Sequence, residues 1–454
     1  MPSLATTSSR LPLPMALLML LLTVLSDAQK TPRSKVSAKS TQFSVDLYRA
    51  VGGTAMRGNV AMCPMGLEPL LGSLQLGARG NTRREMEKVI GTSAKGLRPM
   101  RLPSSLRSPL LTRALALFIH GGGVAQEVSA GRVAGAGRVA GAGRVAGAGR
   151  VAGAGRVAGA GRVAGAGRVA GAGSRSELRA FAGRSAAVFG TETRPLRSDG
   201  GEAAARQVNA WVLNHTHGAV KDFLSPDQLP PGLTRLVLVS AVVLRAVWLS
   251  PFDPAHTNPR PFTPPGRPVK MVPAMQRTGV YRYGEFALPD GNFYEVLEIP
   301  YADGHTVMWV ALPPPDKDGS ALAALENSLT GRTIVEWEGQ SRSTRLTLQL
   351  PRFTVESKLE LKPALQSLGL REMFDERRAN FKGITAREQL YVSTVLQQTR
   401  VEVDEKGTRA VSATGVVALL RSFIPTFACD RPFLFIITHK HTDSILFMGR
   451  VTDP

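Results

Sequence analysis

The C-terminal stretch of the chain, residues 427–454, reads FACDRPFLFIITHKHTDSILFMGRVTDP. Two apolar runs, FLFIIT and ILFMGRV, flank the polar segment HKHTDS. Apolar runs separated by a short polar segment predict a β-hairpin, and runs with so few polar residues indicate strands that are buried on both faces. The sequence therefore ends in a pair of core strands.

Upstream of this hairpin the sequence predicts both helices and strands. The segments with helical spacing or a buried-helix composition are 40–51, 66–77, 80–91 and 202–218. The strand candidates are the nearly continuous apolar run 233–249 and the alternating runs 344–355 and 390–405. Helices come first, strands dominate later, and no linker separates them, so the sequence indicates one α+β body.

The N-terminal end is typical of a secretory signal peptide. Arg10 precedes an apolar run from Leu11 to Leu25, and the small residues Ser26 and Ala28 have cleavage spacing. We predict a signal peptide over residues 1–28 and a secreted, extracellular protein. An uncleaved membrane anchor is the alternative, for which the apolar run is short.

The cysteines and one sequon bear on this prediction. A chain of 454 residues has only Cys63 and Cys429, and a large core can stabilise a secreted domain without disulfides. We expect two buried free thiols, with a single disulfide as the alternative. Asn214 begins the sequon Asn-His-Thr, so a glycan on an exposed segment is predicted there.

Residues 131–172 are seven copies of GRVAGA. Two glycines in each repeat oppose a stable helix, and Ala and Val offer little surface to bury. We predict a disordered insertion; a basic tether to anionic surfaces is the alternative. The repeat arginines also inflate the net charge of +21, which suggests a polyanion partner such as a glycosaminoglycan or simply solvated surface charge.

Catalytic and cofactor motifs are missing from the sequence. No HExxH, GxSxG, phosphate-binding loop or cysteine pair with metal spacing occurs, and the seven histidines are scattered. The sequence predicts that the protein is not an enzyme and that it needs no metal or other cofactor.

The C-terminal stretch closely resembles the signature of the serpin family, through Asp430–Phe433 and Leu446–Val451. Upstream, ANFKGI, NAWVLNHTHG, LTRLVLVSAVVLRAVW and VEVDEKGT also resemble serpin blocks, most similar to the plasminogen activator inhibitor branch. The resemblance implies three β-sheets, about nine helices, a monomer and an exposed reactive-centre loop. The serpin domain would span 29–454, interrupted by the repeat at 131–172, with the loop at 405–425.

In serpins this loop is cut first and packs as a strand afterwards. A serine protease attacks the bait bond, and the freed loop then inserts into a sheet and traps the acyl-enzyme. The resemblance places the bait bond at Arg421–Ser422, and Arg suits the carboxylate in the specificity pocket of trypsin-like proteases. The implied partners are plasminogen activators, plasmin, thrombin and trypsin, held in a covalent acyl complex.

The family register assigns a hinge to Glu405 and Gly407 and predicts which loop residues face inward. The inward set is Thr408, Ala410, Ser412, Thr414, Val416 and Ala418. All are small or β-branched and uncharged, as a strand face entering a core requires. Arg409, Val411 and Gly415 depart from the residues that inhibitory serpins favour.

The resemblance also identifies a sheet-opening region. Its residues are Cys63, Gly66, Ser240, Trp248 and Gln397. A heparin-binding helix would fall near Lys95–Arg113, where several basic residues are interrupted by prolines, so glycosaminoglycan activation stays open. A second functional class, a non-inhibitory serpin acting as a carrier, chaperone or matrix-binding protein, stays open as well.

Overall fold

A computed structural model of the chain describes residues 35–52, 58–91, 111–120, 172–196, 201–386, 388–406, 424–440, 442 and 444–454. Side chains are described from residue 39 in the first helix and from residue 177 in the helix that follows the repeat. The predicted signal peptide, nearly all of the repeat and loop residues 407–423 lie outside the described residues.

The described residues contain eight α-helices, against the nine or so that the sequence led us to expect. They are α1 Lys35–Gly52, α2 Pro64–Gly77, α3 Gly80–Ile90, α4 Ala172–Phe189, α5 Gly201–His215, α6 Ser320–Ser328, α7 Thr333–Gln340 and α8 Lys362–Ser367. Pro64 at the first position of α2 has the fixed φ that a helix start needs. Gly91 ends α3 in the left-handed conformation, with φ of 76°.

The strands account for most of the remaining described chain. They are β1 Val60–Met62, β2 Leu111–Ile119, β3 Glu192–Pro195, β4 Leu236–Leu244, β5 Thr257–Phe262, β6 Lys270–Ala287, β7 Phe293–Pro300, β8 Thr306–Leu312, β9 Arg342–Pro351, β10 Phe353–Glu360, β11 Val392–Val403, β12 Thr426–Ala428, β13 Phe433–His439 and β14 Ser444–Val451. Short 3₁₀ turns lie at Pro226–Gln228, Pro254–His256 and Glu372–Phe374. All the helices and strands predicted from periodicity are present.

The strands form two hydrogen-bonded sheets rather than three separate ones. A five-stranded sheet has the order β10-β11-β4-β2-β3, and a nine-stranded sheet contains the others. The second sheet is continuous because β6 is 18 residues long and pairs in turn with β5, β9 and β7. Two of the three expected sheets are therefore joined through one strand.

The strand β4 explains how the core is arranged. Leu236, Leu238 and Val242 belong to the main core, whereas Val237 and Val239 pack with α5 in a second cluster. Alternate residues of β4 thus face a helix on one side and the main core on the other, and every residue of the strand is buried. Helix α5 covers the outer face of the five-stranded sheet.

The chain end that indicated the fold forms a buried hairpin. β13 and β14 are antiparallel and lie inside the nine-stranded sheet, between β8 and β1. Every residue of β13 is buried. No helix among the described residues is long and apolar enough to cross a membrane.

Candidate functional site

The two central strands of the five-stranded sheet are parallel and paired along their length. β11 residues Thr394–Val401 are in register with β4 residues Val237–Leu244, and Val392 is opposite Leu236 across a β-bulge. The chain leaves β11 through Asp404–Lys406 and is described again from Ile424, which leads into β12. The segment interpreted as the reactive loop therefore begins at one end of this central pair.

Gln397 lies in the middle of the pair and connects it to the residue before α2. Its Nε2 donates to Ser240 Oγ (3.2 Å) and to the Cys63 carbonyl oxygen (2.8 Å), and its Oε1 accepts from the Cys63 backbone N–H (2.9 Å). All three residues are buried. Because each polar group of the Gln397 amide has a partner, the bonds fix α2 against the closed sheet. We call Cys63, Gly66, Ser240 and Gln397 the mid-sheet cluster.

Gly66 allows α2 to approach β4 closely. A Cβ atom at this position would lie 2.6 Å from Ser240 Oγ and 2.9 Å from Val242 Cγ2. The space that a side chain at position 66 would fill is thus taken by β4 itself. The Cys63 thiol next to it is free and buried, and burial raises its pKa to about 12. This thiol is protonated and unreactive at neutral pH.

Trp248 links the region beyond β4 to the start of the loop. Its indole Nε1 donates to the Asp404 carbonyl oxygen (2.9 Å), and its ring stacks on Tyr301 with a centroid distance of 4.5 Å and an interplanar angle of 10°. Trp248 is 1% exposed. The stacked pair therefore holds the chain in place where it leaves β11.

Glu405 is anchored by three groups from other segments. Its Oε1 accepts from Thr257 Oγ1 (2.7 Å), its Oε2 lies 3.6 Å from Arg352 Nε, and its carbonyl oxygen accepts from the Phe252 N–H (2.9 Å). Only 7% of Glu405 is exposed. A buried carboxylate needs such partners, so the residue two positions before Gly407 is firmly held.

Thr399 is a polar residue of β11 that no sequence signal identified. It is fully buried, and its hydroxyl oxygen has no hydrogen-bond partner among the described residues. A buried hydroxyl without a partner costs about 1–3 kcal/mol. We therefore expect the Thr399 hydroxyl to destabilise the sheet two residues from Gln397.

The structure brings some of the sequence-predicted residues together and leaves others undescribed. Cys63, Gly66, Ser240 and Gln397 are in contact, and Trp248 and Glu405 lie where the chain leaves β11. Loop residues outside the described part of the chain are Gly407, Thr408, Ala410, Ser412, Thr414, Val416, Ala418, Arg421 and Ser422, together with Arg409, Val411 and Gly415.

Two predictions about secretion-related residues can be compared with the structure. Cys63 and Cys429 are both buried and free, as predicted. Asn214 is exposed near the end of α5, so the sequon is accessible at its acceptor residue.

No cluster of His, Cys, Asp and Glu suited to a metal occurs among the described residues.

The expected heparin-binding helix needs a correction at its C-terminal end. Residues 92–110 lie outside the described residues, but Arg113 is in strand β2, opposite Val242 of β4. Because β2 starts at Leu111, a helix over Lys95–Arg113 cannot extend to Arg113.

Sequence reasoning also missed the partners of Glu405. Arg352 lies in the alternating run 344–355, between β9 and β10, and was interpreted only as part of a strand. A proline followed by an Arg in an apolar run was the one available signal of a break at that point. Thr257 gave no signal, because its role depends on a contact with a residue 148 positions away.

Comparison with known proteins agrees with this geometry. The family model described as Serpin (serine protease inhibitor) matches residues 38–114 and 166–454. Glia-derived nexin of Mus musculus is 32% identical over 402 residues, with 87% of this chain and 88% of that protein covered. Plasminogen activator inhibitor 1 of Bos taurus is 30% identical over 436 residues, which covers 94% of each chain.

Solved structures give the same result. Native protease nexin-1, crystallised with heparin, has a TM-score of 0.73 and 28% identity, covering 92% of this chain and 99% of that chain. Serpin48 of the insect Tenebrio molitor has a TM-score of 0.70 at 23% identity and supports the fold alone. The stretch 115–165, which holds most of the GRVAGA repeat, is not matched by the family model.

Proposed function

The chain belongs to the serpin family of serine protease inhibitors, and from this premise we propose that it is a secreted suicide inhibitor of trypsin-like serine proteases. In this proposal a protease attacks Arg421, and the loop inserts between β4 and β11 before the acyl-enzyme is hydrolysed. The protein acts as an inhibitor and not as an enzyme.

The observation that carries the proposal is the parallel pair β4–β11 with the loop at its end. A strand that follows β11 through a tight turn is antiparallel to β11, and it is then antiparallel to β4 as well. Such a strand replaces one row of inter-strand hydrogen bonds by two rows. A freed loop therefore gains more hydrogen bonds by inserting between β4 and β11 than by pairing at an edge of the sheet.

The free energy that loop insertion could release supports a mechanism that traps the acyl-enzyme. Extended residues rise about 3.3 Å each, so the segment between Gly407 and Leu420 could span roughly 45 Å. At about 1 kcal/mol for each net hydrogen bond, insertion could yield on the order of 10 kcal/mol. The mid-sheet cluster and the hinge contacts oppose opening, so the closed form persists until the loop is cut.

The covalent complex is tested with proteases of the proposed class. We expect purified protein incubated with trypsin or urokinase to give a band on a denaturing gel at the summed mass of inhibitor and protease. Protein nicked at Arg421–Ser422 should melt at a higher temperature than intact protein. Cleavage at Arg421 with neither the band nor the gain in melting temperature would instead support a carrier or matrix-binding serpin, which Arg409 and Val411 favour.

The inward face of the loop is tested by a matched pair of variants. Thr408→Arg should abolish the covalent band and leave cleavage intact, because a charge forced beneath the sheet costs several kcal/mol. Arg409→Glu, at the adjacent outward position, should keep the band. A band of wild-type intensity from Thr408→Arg would contradict the assigned register.

Secretion and glycosylation are part of the proposal and are tested on protein secreted by cultured cells. We expect the mature chain to begin after Ala28 and to carry a glycan on the exposed Asn214. Mass spectrometry of the mature N-terminus and of the Asn214 peptide measures both. An Asn214 peptide without a glycan would overturn the proposed glycosylation. A secreted chain that retains residues 1–28 would overturn the proposed signal-peptide cleavage.

A polyanion partner is proposed because the chain has a net charge of +21 and a related solved structure is described with heparin. We expect retention on immobilised heparin and elution by salt. Deleting residues 131–166 removes six of the repeat arginines, so it separates a contribution of the repeat from that of the segment 95–113.

A further inference from the structure

An outward sheet face lies beside the C-terminal end of the reactive loop. On this face Val280 of β6 is directly opposite Arg345 of β9, and Thr278 is opposite Thr347. Thr426 of β12 is opposite Thr347 from the other side. Directly opposed residues point to the same face of a sheet. We call these five residues the β9 face.

The β9 face is exposed except at Thr347, which is buried, and it holds a cation without a partner among the described residues. Val280 is 70% exposed, and Arg345 and Thr426 are exposed as well. The Arg345 guanidinium makes no hydrogen bond or ion pair with any described residue. Arg is enriched at protein–protein interfaces, where its planar group binds carboxylates in a bidentate geometry.

The strand register places this face beside Ile424, where the chain is described again after the predicted loop. β12 is parallel to β9 with Thr426 opposite Thr347, so Ile424 is level with Arg345. The Thr347 N–H donates to the Pro425 carbonyl oxygen (2.9 Å), which continues the pairing in that direction. The bond proposed at Arg421–Ser422 ends two residues before Ile424, about 7 Å along an extended chain.

The charges around Arg345 indicate what kind of partner could bind the β9 face. The uncharged residues that share this face include Gln276, Ser343, Gln349 and Ala428. Arg282 of β6 is opposite Ser343 and is charged, and its Nε lies 3.8 Å from Oε2 of Glu298 in β7. Arg260 of β5 reaches the rim, where its Nη2 donates to Gln276 Oε1 (2.9 Å). Glu298 is buried and forms ion pairs with Arg282 and Lys440, so the exposed Arg345 guanidinium is left to attract acidic groups.

We propose that the β9 face is a secondary docking surface for the target protease, which meets Arg345 with acidic side chains beside the part of its cleft that binds residues after the cut. This inference rests on the proposed function, because the occupant is the protease that cleaves the loop. Ile424, two residues after the proposed bait bond, is level with Arg345, so we expect a protease bound to the loop to reach the β9 face.

Docking at this face governs how fast the protease is captured and leaves the later steps of inhibition unchanged. Charge pairs outside the cleavage site mainly change association rates. The partition between trapping and hydrolysis is decided later, when the loop inserts. A change at Arg345 should therefore alter the association rate and leave the number of inhibitor molecules consumed per protease unchanged.

The test uses the full-length protein and the fastest-reacting member of a panel of plasminogen activators, plasmin, thrombin and trypsin. Arg345→Glu should lower the rate of loop cleavage, measured as kcat/KM at Arg421–Ser422, about 10-fold at low salt, with a smaller loss at high salt. Val280→Lys should raise this rate about 2-fold. Arg179→Glu is the matched control: it changes an exposed Arg on α4 and should leave the rate unchanged.

Cleavage is measured apart from trapping, so the two proposals can fail separately. Absence of a covalent complex overturns the inhibitory function, while slower cleavage of Arg345→Glu still supports the docking surface. Equal cleavage rates for Arg345→Glu and Arg179→Glu across the panel overturn the docking surface and leave the inhibitory function intact.

Discussion

Glu405 anchors the chain where it leaves β11. Its carboxylate is nearly buried and holds Thr257 and Arg352, while Trp248 holds the adjacent Asp404 carbonyl. These contacts join β11 to segments outside the five-stranded sheet. Long-range polar contacts therefore hold the chain in place at Glu405.

Charge reversal at Glu405 should destabilise the folded protein. In Glu405→Lys the ammonium group lies near the Arg352 guanidinium and can no longer accept from Thr257. We expect a loss of about 2 kcal/mol in the free energy of unfolding, less than for a fully buried pair because Arg352 is half exposed. Urea unfolding measures it; Glu405→Gln keeps an acceptor and should lose less. Equal losses for both variants would contradict the charge argument.

The unpaired hydroxyl of Thr399 predicts a stabilising substitution. Thr399→Val keeps the shape of the side chain and removes a buried group without a described partner, so the closed form should gain about 1 kcal/mol. The control is Thr394→Val on the same strand, where the hydroxyl donates to Glu360 Oε1 (3.3 Å). Urea unfolding should show that Thr394→Val loses about 1 kcal/mol in the free energy of unfolding. A loss of stability in Thr399→Val would show that its hydroxyl is satisfied.

At the scale of elements, the contact between α1 and α2 contains a carboxyl group with an unusual acidity. Glu68 of α2 accepts from Ser40 Oγ (2.8 Å) and Ser44 Oγ (3.2 Å) of α1. Burial raises its pKa from 4.5 to about 7, against the opposing effect of these two hydrogen bonds. The packing of the two helices thus favours the protonated form.

This shift predicts a pH dependence with a definite sign. Between about pH 4.5 and 7 the folded protein retains the Glu68 proton that the unfolded chain has lost, so the stability that it contributes falls as pH rises through this window. The free energy of unfolding of Glu68→Gln should decrease less over the same pH range, and at pH 8 this variant should be more stable than the wild-type protein. Urea unfolding at several pH values measures both, and parallel pH profiles would contradict the assignment to Glu68.

Elements also show where sequence patterns stop being informative. The alternation in 344–355 correctly indicates extended chain, yet it spans two strands, β9 and β10, that belong to different sheets. Alternation reports which faces are buried and not which neighbour a strand takes. The bonds between Gln397 and Cys63 join residues 334 positions apart, and only the resemblance to a known family suggested them.

At the scale of the whole molecule, the repeat should be dispensable for folding. The family model matches the chain on both sides of the repeat and leaves residues 115–165 unmatched. Closing a flexible loop costs only about 0.6 kcal/mol more for each doubling of its length, so deleting residues 131–166 should change the melting temperature by no more than about 2 °C. Loop cleavage should stay intact. A large loss of stability would assign the repeat a structural role.

In the proposed inhibitory mechanism, the connection from β11 through Lys406 gives insertion a fixed order. Because the loop remains covalently joined to β11 at this end, the residues nearest Gly407 pair first and those nearest Arg421 pair last. The effect of a substitution on trapping should therefore decrease along the loop from Gly407 to Arg421. Substitutions near Gly407 delay the first step of insertion and give the acyl-enzyme more time to hydrolyse. Substitutions near Arg421 act when most of the inserted strand is already paired.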